Sequence, residues 1–178
     1  MAVTIREARE DDIASVAAIY ADAVLTGFGT FETTPPSEEE MAKRYTALAS
    51  AGHPYLVAEM EGVVVGYAHA GPYRPRPAYR NTVECSVYVE KESKRRGIGK
   101  KLLEALLEAS EEKGFRQIVA VIGDSGNTAS VALHASCGFA HVGTLRSVGR
   151  KHGRWLDTVI AQRPLGRADS ADPDSETP

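Results

Sequence analysis

Lys94-Arg-Arg-Gly97-Ile-Gly99-Lys-Lys-Leu-Leu-Glu-Ala-Leu-Leu-Glu-Ala-Ser-Glu-Glu-Lys-Gly114 follows the apolar run Cys85-Ser-Val-Tyr-Val89. A strand, a basic glycine turn and an amphipathic helix make an anion site. Gly97 and Gly99 let backbone N–H groups approach a phosphate. The helix N-terminus adds free donors and the positive end of its dipole. Lys94, Arg95, Arg96, Lys100 and Lys101 bring charge to the same spot. The helix face Ile98, Leu102, Leu103, Leu106 and Leu107 predicts burial against a sheet, and Gly114 stops it.

Working outward, Val3 to Arg6 reads as a first strand. Asp11 or Asp12 is expected to cap a helix with the face Ile13, Val16, Ala17, Tyr20 and Val24. Gly27 and Gly29 break that helix, and an irregular aromatic stretch, Phe28 to Phe31, follows. Ser37 with Glu40 predicts a capping box for a helix over 37–50. Tyr55 to Glu59 and Val63 to Ala70 form a hairpin turning at Glu61-Gly62. Gly71 to Pro77 is a proline-rich loop in which a helix is excluded. Strands are expected over Thr82 to Val89 and Gln117 to Ile122, then a helix over Asn127 to Ser136. Phe139 to Val148 and Trp155 to Gln162 are the last strands, joined near Lys151-His152-Gly153. The order β-α-α-β-β-β-α-β-α-β-β is that of a mixed α/β sheet with helices on both faces.

The 178 residues suit one domain, expected over 1–165, with a disordered tail over 166–178 that lacks an apolar pattern. A net charge of −3 gives no reason to expect nucleic acid or a membrane surface. No apolar run approaches a membrane span. The charged Arg6 to Asp12 stretch speaks against a signal peptide. Two cysteines, Cys85 and Cys137, are no disulfide framework. A cytoplasmic protein is expected. His53, His69 and His141 are scattered without metal-ligand spacing, so no metal is expected.

Two phosphate motifs fail at the glycine turn. The Walker motif needs glycine where Lys94 stands and Ser or Thr where Lys101 stands. The Rossmann fingerprint needs a third glycine where Leu102 stands. What remains, Lys94-Arg95-Arg96-Gly97-Ile98-Gly99 opening a helix after a strand, resembles the acyl-CoA pyrophosphate loop of the GNAT N-acetyltransferases. Asn127-Thr-Ala-Ser130, His134 and Gly138-Phe139 resemble the second CoA-contacting helix of that superfamily. The first loop residue there is usually Arg or Gln, where this chain has Lys94. Many members carry Tyr where this chain has His134.

A narrower resemblance joins Ala78 to Val89, Val119 to Ile122 and Val148 to Asp157. These segments are similar to the phosphinothricin and methionine sulfoximine N-acetyltransferases, over about Ile5 to Pro164. The resemblance implies a GNAT-type, mostly antiparallel sheet and acetyl-CoA as cosubstrate. It implies direct transfer to the α-amine of a small amino acid analogue, a detoxification role and a homodimer. Asn127 would then touch the pantetheine or acyl end. Lys94 to Lys100 would hold the pyrophosphate.

Amine acetylation needs a base, an oxyanion site and help for the leaving thiolate. Glu84, a carboxylate in an uncharged strand segment, is the candidate base, since burial raises its pKa. The resemblance implies the same, since a Glu at this position is the proposed base in that family. Backbone N–H groups of Val87, Tyr88 and Val89 would face the oxyanion if the strand splays from its neighbour. His134 is the candidate to serve the thiolate, with Tyr88 and Tyr79 as alternatives. Arg74 and Arg76, around Pro75, suit a substrate carboxylate. Phe31, with Phe28, would wall the substrate pocket, beside Cys85 and Ser86. Cys85 itself points away from Glu84 and is read as a small buried side chain rather than a nucleophile. His152, Arg154 and Trp155 fit a dimer interface as well as a pocket.

Two other readings stay open. One is a protein or peptide amine acetyltransferase, which would need an open acidic groove. The other is a CoA-binding module without turnover.

Overall fold

The structure, a computed structural model, describes residues 2–173. Among these the elements are β1 (Thr4–Glu7), α1 (Ile13–Thr26), α2 (Glu38–Ser50), β2 (Tyr55–Met60), β3 (Val63–Pro72), β4 (Thr82–Val89), α3 (Ile98–Glu112), β5 (Gln117–Gly123), α4 (Thr128–Ser136), β6 (Ala140–Lys151) and β7 (Arg154–Pro164). The order matches the expected one. One seven-stranded sheet runs β1-β2-β3-β4-β5-β7-β6. Every neighbouring pair is antiparallel except β4–β5. That parallel pair needs a long crossover, which α3 supplies.

The helices divide between the faces. Against one face α3 buries Ile98, Leu102, Leu103, Leu106 and Leu107, none more than 4 % exposed, with Cys85, Ile118 and Phe139. Each such side chain is worth about 1.5–3 kcal/mol. Against the other face α1 and α2 pack Val16, Tyr20, Val24 and Met41 onto Tyr55, Val57 and Tyr67. No helix among the described residues is long and apolar enough to cross a membrane.

Local chemistry explains the boundaries. Ser37 accepts the Glu40 N–H at 3.1 Å and starts α2. Asp12 does not cap α1 with its side chain, as the expectation had it. Its carboxylate instead accepts the Arg9 N–H and the Arg6 guanidinium, 2.7 Å each, while Arg6 also holds Glu59. One carboxylate thereby serves a backbone donor and the Arg6 charge at once, both as charge-assisted bonds. β3 runs on through Gly71 and Pro72, because Pro72 sits at the strand end opposite Val83, where its missing N–H costs little. Glu61 and Gly62 both have positive φ, as do His152 and Gly153. Both pairs make the two-residue turn that suits the strand twist. The second lets β6 reach Lys151, three residues beyond the expected Val148. After β7 the chain turns, and Arg116 donates to the carbonyls of Ala168 and Asp172. The rest of the expected tail, 174–178, lies outside the described residues.

Candidate functional site

β4 and β5 pair only from Thr82–Gln117 to Cys85–Ala120. Beyond that point β4 stays with β3 as far as Val89, and β5 stays with β7 as far as Gly123. The two strands therefore part. The Glu90 N–H bonds Val65 on β3. Strand alternation then turns the N–H groups of Val87 and Val89 the other way, into the gap, with no ladder partner among the described residues. Tyr88 donates its N–H toward β3 instead, so the expected trio supplies two donors, not three.

A cleft of about 720 Å³ occupies the gap. One wall is Ser86 to Val89 and another is Val121 to Asp124. The basic turn and the start of α3 form its floor, and α1 with Phe28 and Gly29 closes the remaining side. The turn is shaped by two left-handed residues, Arg95 at φ 63° and Gly97 at φ 77°. Gly97 is the N-cap of α3 and carries no side chain to fill the cap, so the first-turn donors stay open. Gly99 has a different reason to be glycine: a Cβ there would lie 3.3 Å from Leu133 of α4.

Lys94, Arg95, Gly97, Ile98, Gly99 and Lys100 all border the cleft. Arg96 does not. Its guanidinium lies 3.9 Å from the Met60 sulfur, outside the expected phosphate set. The reason is the backbone: with Arg95 and Gly97 both left-handed, consecutive side chains leave the turn in different directions.

Asn127 borders the cleft and caps α4, accepting the Ser130 N–H at 3.3 Å. That leaves its amide donors toward Gly29, where an added Cβ would lie 3.7 Å from Nδ2. His134 is buried in the same wall. Its Nδ1 donates to the Ser130 carbonyl at 2.8 Å, which assigns the acceptor lone pair to Nε2, 3.7 Å from the Cys85 sulfur. Burial pushes the imidazole pKa down. In this arrangement the Nε2 lone pair faces Cys85 and the ring proton is engaged by the Ser130 carbonyl. Burial pushes the Cys85 thiol up to about 12, so it is a thiol and no nucleophile.

The even residues of β4 face the other way. Glu84 is half-buried; desolvation raises its pKa, and the nearby Arg74 charge opposes that. Across the ladder from Glu84 is Gly71, against which Leu48 packs: an added Cβ there would lie 3.2 Å from the Leu48 side chain. Ser86 reaches the cleft, and so does Tyr88. Burial raises the Tyr88 hydroxyl pKa, so it stays a neutral donor.

The other expected substrate residues are not gathered here. Arg74 lies over the Tyr73 ring at 4.9 Å on an exposed loop with Pro75 and Arg76. None of them borders the cleft, and neither does Glu84. Tyr79 is 40 % exposed against Tyr73, away from the cleft. Phe31 packs its ring onto Gly149, where no Cβ would fit, rather than into the cleft. Of the two phenylalanines, Phe28 reaches it. Arg154 stacks on Phe28 at 4.2 Å and His152 meets it edge-on at 5.4 Å. So His152 and Arg154 support the cleft wall.

Two contributors escaped the sequence reading. Gly123 passes so close to the α1–α2 segment that a Cβ would sit 2.5 Å from the Phe28 carbonyl. Lys151, 3 % exposed, donates to the Thr30 carbonyl at 2.9 Å. A glycine ending an apolar strand was a signal for the first. Thr30 offered none for the second.

The chain matches the acetyltransferase (GNAT) domain family over residues 5–160. It is 50 % identical over 173 residues to a phosphinothricin N-acetyltransferase of Alcaligenes faecalis, covering 97 % of this chain and 88 % of that one. It is 40 % identical over 172 residues to an L-methionine sulfoximine/L-methionine sulfone acetyltransferase of Pseudomonas paraeruginosa, covering 96 % and 99 %. A crystal structure of a phosphinothricin acetyltransferase from Sinorhizobium meliloti in complex with AcCoA superposes with a TM-score of 0.96 at 45 % identity, covering 99 % of this chain and 95 % of that one.

Proposed function

The chain belongs to the GNAT acetyltransferases, and from that premise we propose that it acetylates the α-amine of a small amino acid analogue of the phosphinothricin, methionine sulfoximine or methionine sulfone type. It is an N-acetyltransferase that uses acetyl-CoA. The observation that carries the reading is the meeting of three features on one strand and its successor. The parted β4 edge offers the Val87 and Val89 N–H groups, α3 opens with an uncapped, basic N-terminus, and Glu84 lies two residues before Ser86.

Each residue then has a task. Arg95, Lys94 and the first-turn N–H groups of α3 hold the pyrophosphate. Val87 and Val89 stabilise the thioester oxygen as it gains charge. Glu84 stands about 7 Å along the strand from Ser86 on the same face, a spacing that suits proton removal from the amine through one water. Tyr88 donates a hydrogen bond to the departing sulfur, a task its neutral hydroxyl suits better than His134. His134 and Cys85 shape the wall. Arg74 draws the substrate carboxylate toward Glu84.

The acetyltransferase domain is taken as residues 1–165. A second copy of the chain is the proposed partner. Val142, Leu145, Val148 and Trp155 leave more than half of their surface exposed along β6 and β7, which supports that association. Sedimentation should show a dimer.

Acetyl-CoA-dependent thiol release with a panel of these analogues and a lysine-containing peptide tests the function. Turnover confined to the peptide would overturn the substrate class.

A further inference from the structure

Lys151 is the last residue of β6, almost fully buried, and makes no salt bridge among the described residues. Burying an ammonium group is costly, and an apolar chain of equal length would fill the space. What the ammonium adds is one hydrogen bond, to the Thr30 carbonyl, and an attraction to the nearby Glu32 charge. Thr30 lies between α1 and α2, and its own hydroxyl bonds the Tyr20 hydroxyl at 2.9 Å. Tyr20 meets the Tyr88 ring edge-on at 5.1 Å. A chain of direct contacts thus runs from the β6–β7 turn to the strand that borders the cleft.

The same turn grips the segment elsewhere. His152 and Arg154 hold the Phe28 ring, and Gly149 receives Phe31. Phe28, itself one of the gripped residues, and Gly29 beside it are cleft wall. The wall stands on the side of the sheet that carries Glu84, Ser86 and Tyr88. It therefore lies between the acyl-donor cleft and the face from which the amine comes.

We propose that Lys151 is a positioning residue: through the Thr30 carbonyl it sets the 27–31 segment as the wall that keeps water from the thioester and leaves the amine as acceptor. The inference rests on the acetyl-transfer reading above. With the wall loosened, water takes the acetyl group, so that acetyl-CoA and water give acetate and free CoA thiol. Thiol release then exceeds amine acetylation.

The test measures released thiol and acetylated methionine sulfoximine in the same samples, for the unaltered protein, K151M and G149A. The Ala substitution drives the Phe31 ring off the hairpin while leaving Lys151 in place. The unaltered protein should give one thiol per acetylated amine. Both variants should raise KM for the amine about tenfold and release excess thiol, with kcat for thiol release much less affected. A folded K151M with unchanged KM and one-to-one coupling would overturn the proposal. Should K151M not fold, K151Q, whose shorter polar head falls short of the Thr30 carbonyl, takes its place, and unchanged KM and coupling in it would overturn the proposal equally. If the unaltered protein acetylates no amine, the functional reading fails first, and this inference with it. Normal activity in the unaltered protein with normal variants sinks the inference alone.

Discussion

The two sides of β4 are built differently. The donor side, in the gap beyond Cys85, draws on α1, the 27–31 segment, the basic turn, α3, β5 and α4, and is closed on several sides. The acceptor side has Glu84 half-buried, while Arg74, Pro75 and Arg76 stand on an exposed loop. The donor side recognises a large, invariant molecule and can be assembled in advance. On the proposed reading the acceptor side would meet a small molecule with few handles, and much of its recognition would fall to exposed charge. One strand serves both because side chains alternate across it.

The sharpest way to break this division is Glu84→Gln. Turnover should fall about 10²–10³-fold while acetyl-CoA affinity stays nearly constant. Steady-state kinetics beside cofactor titration measures both. In the unaltered protein, activity should fall as pH drops through a Glu84 pKa raised above the usual carboxylate value. The base works only when ionised, so raising its pKa moves the loss to higher pH. The variant should lack that acid limb, and an unaltered limb would remove Glu84 as the base.

Tyr88→Phe should lower turnover about tenfold by deleting one hydrogen bond to charge. Equal rates would return the thiolate to another donor.

Gly97→Ala tests the donor side alone. The added Cβ meets nothing, but φ of 77° is strained for alanine at about 1–2 kcal/mol. Acetyl-CoA should bind several-fold to about tenfold weaker, with amine KM unchanged, by calorimetry and kinetics.

The smallest effect is expected from Arg74→Ala. The KM for carboxylate-bearing amines should rise a few-fold. Removing its charge also removes the influence that lowers the Glu84 pKa, so the acid limb should shift upward. A shift with no change in KM would keep Arg74 as a neighbour of Glu84 and discard it as a carboxylate clamp.

Much of this was legible in the chain because it is local. The face of α3 repeats at helical spacing, and its Ile98 to Leu107 set is buried as read. The glycine turn before it, Asn127 at the head of α4 and Glu84 in a strand are each visible within a few residues. The Glu61-Gly62 turn is decided by two residues that accept positive φ. Phe31 was less legible, because a partly exposed aromatic in an irregular stretch suits a pocket wall as well as a strand surface. Only the opposite Gly149 decides which.

By its own pattern, then, the sequence determined the order of elements, the glycine turn that opens α3 and the residue types proposed to carry the chemistry. Tertiary structure alone decided where β4 leaves β5, which turned the Val87 and Val89 donors into the cleft. It also brought Cys85 to His134 across 49 positions and Lys151 to Thr30 across 121. Periodicity and turn chemistry act over a few residues. Strand register and contacts between distant side chains depend on how the whole sheet twists and closes, which no short window of sequence contains.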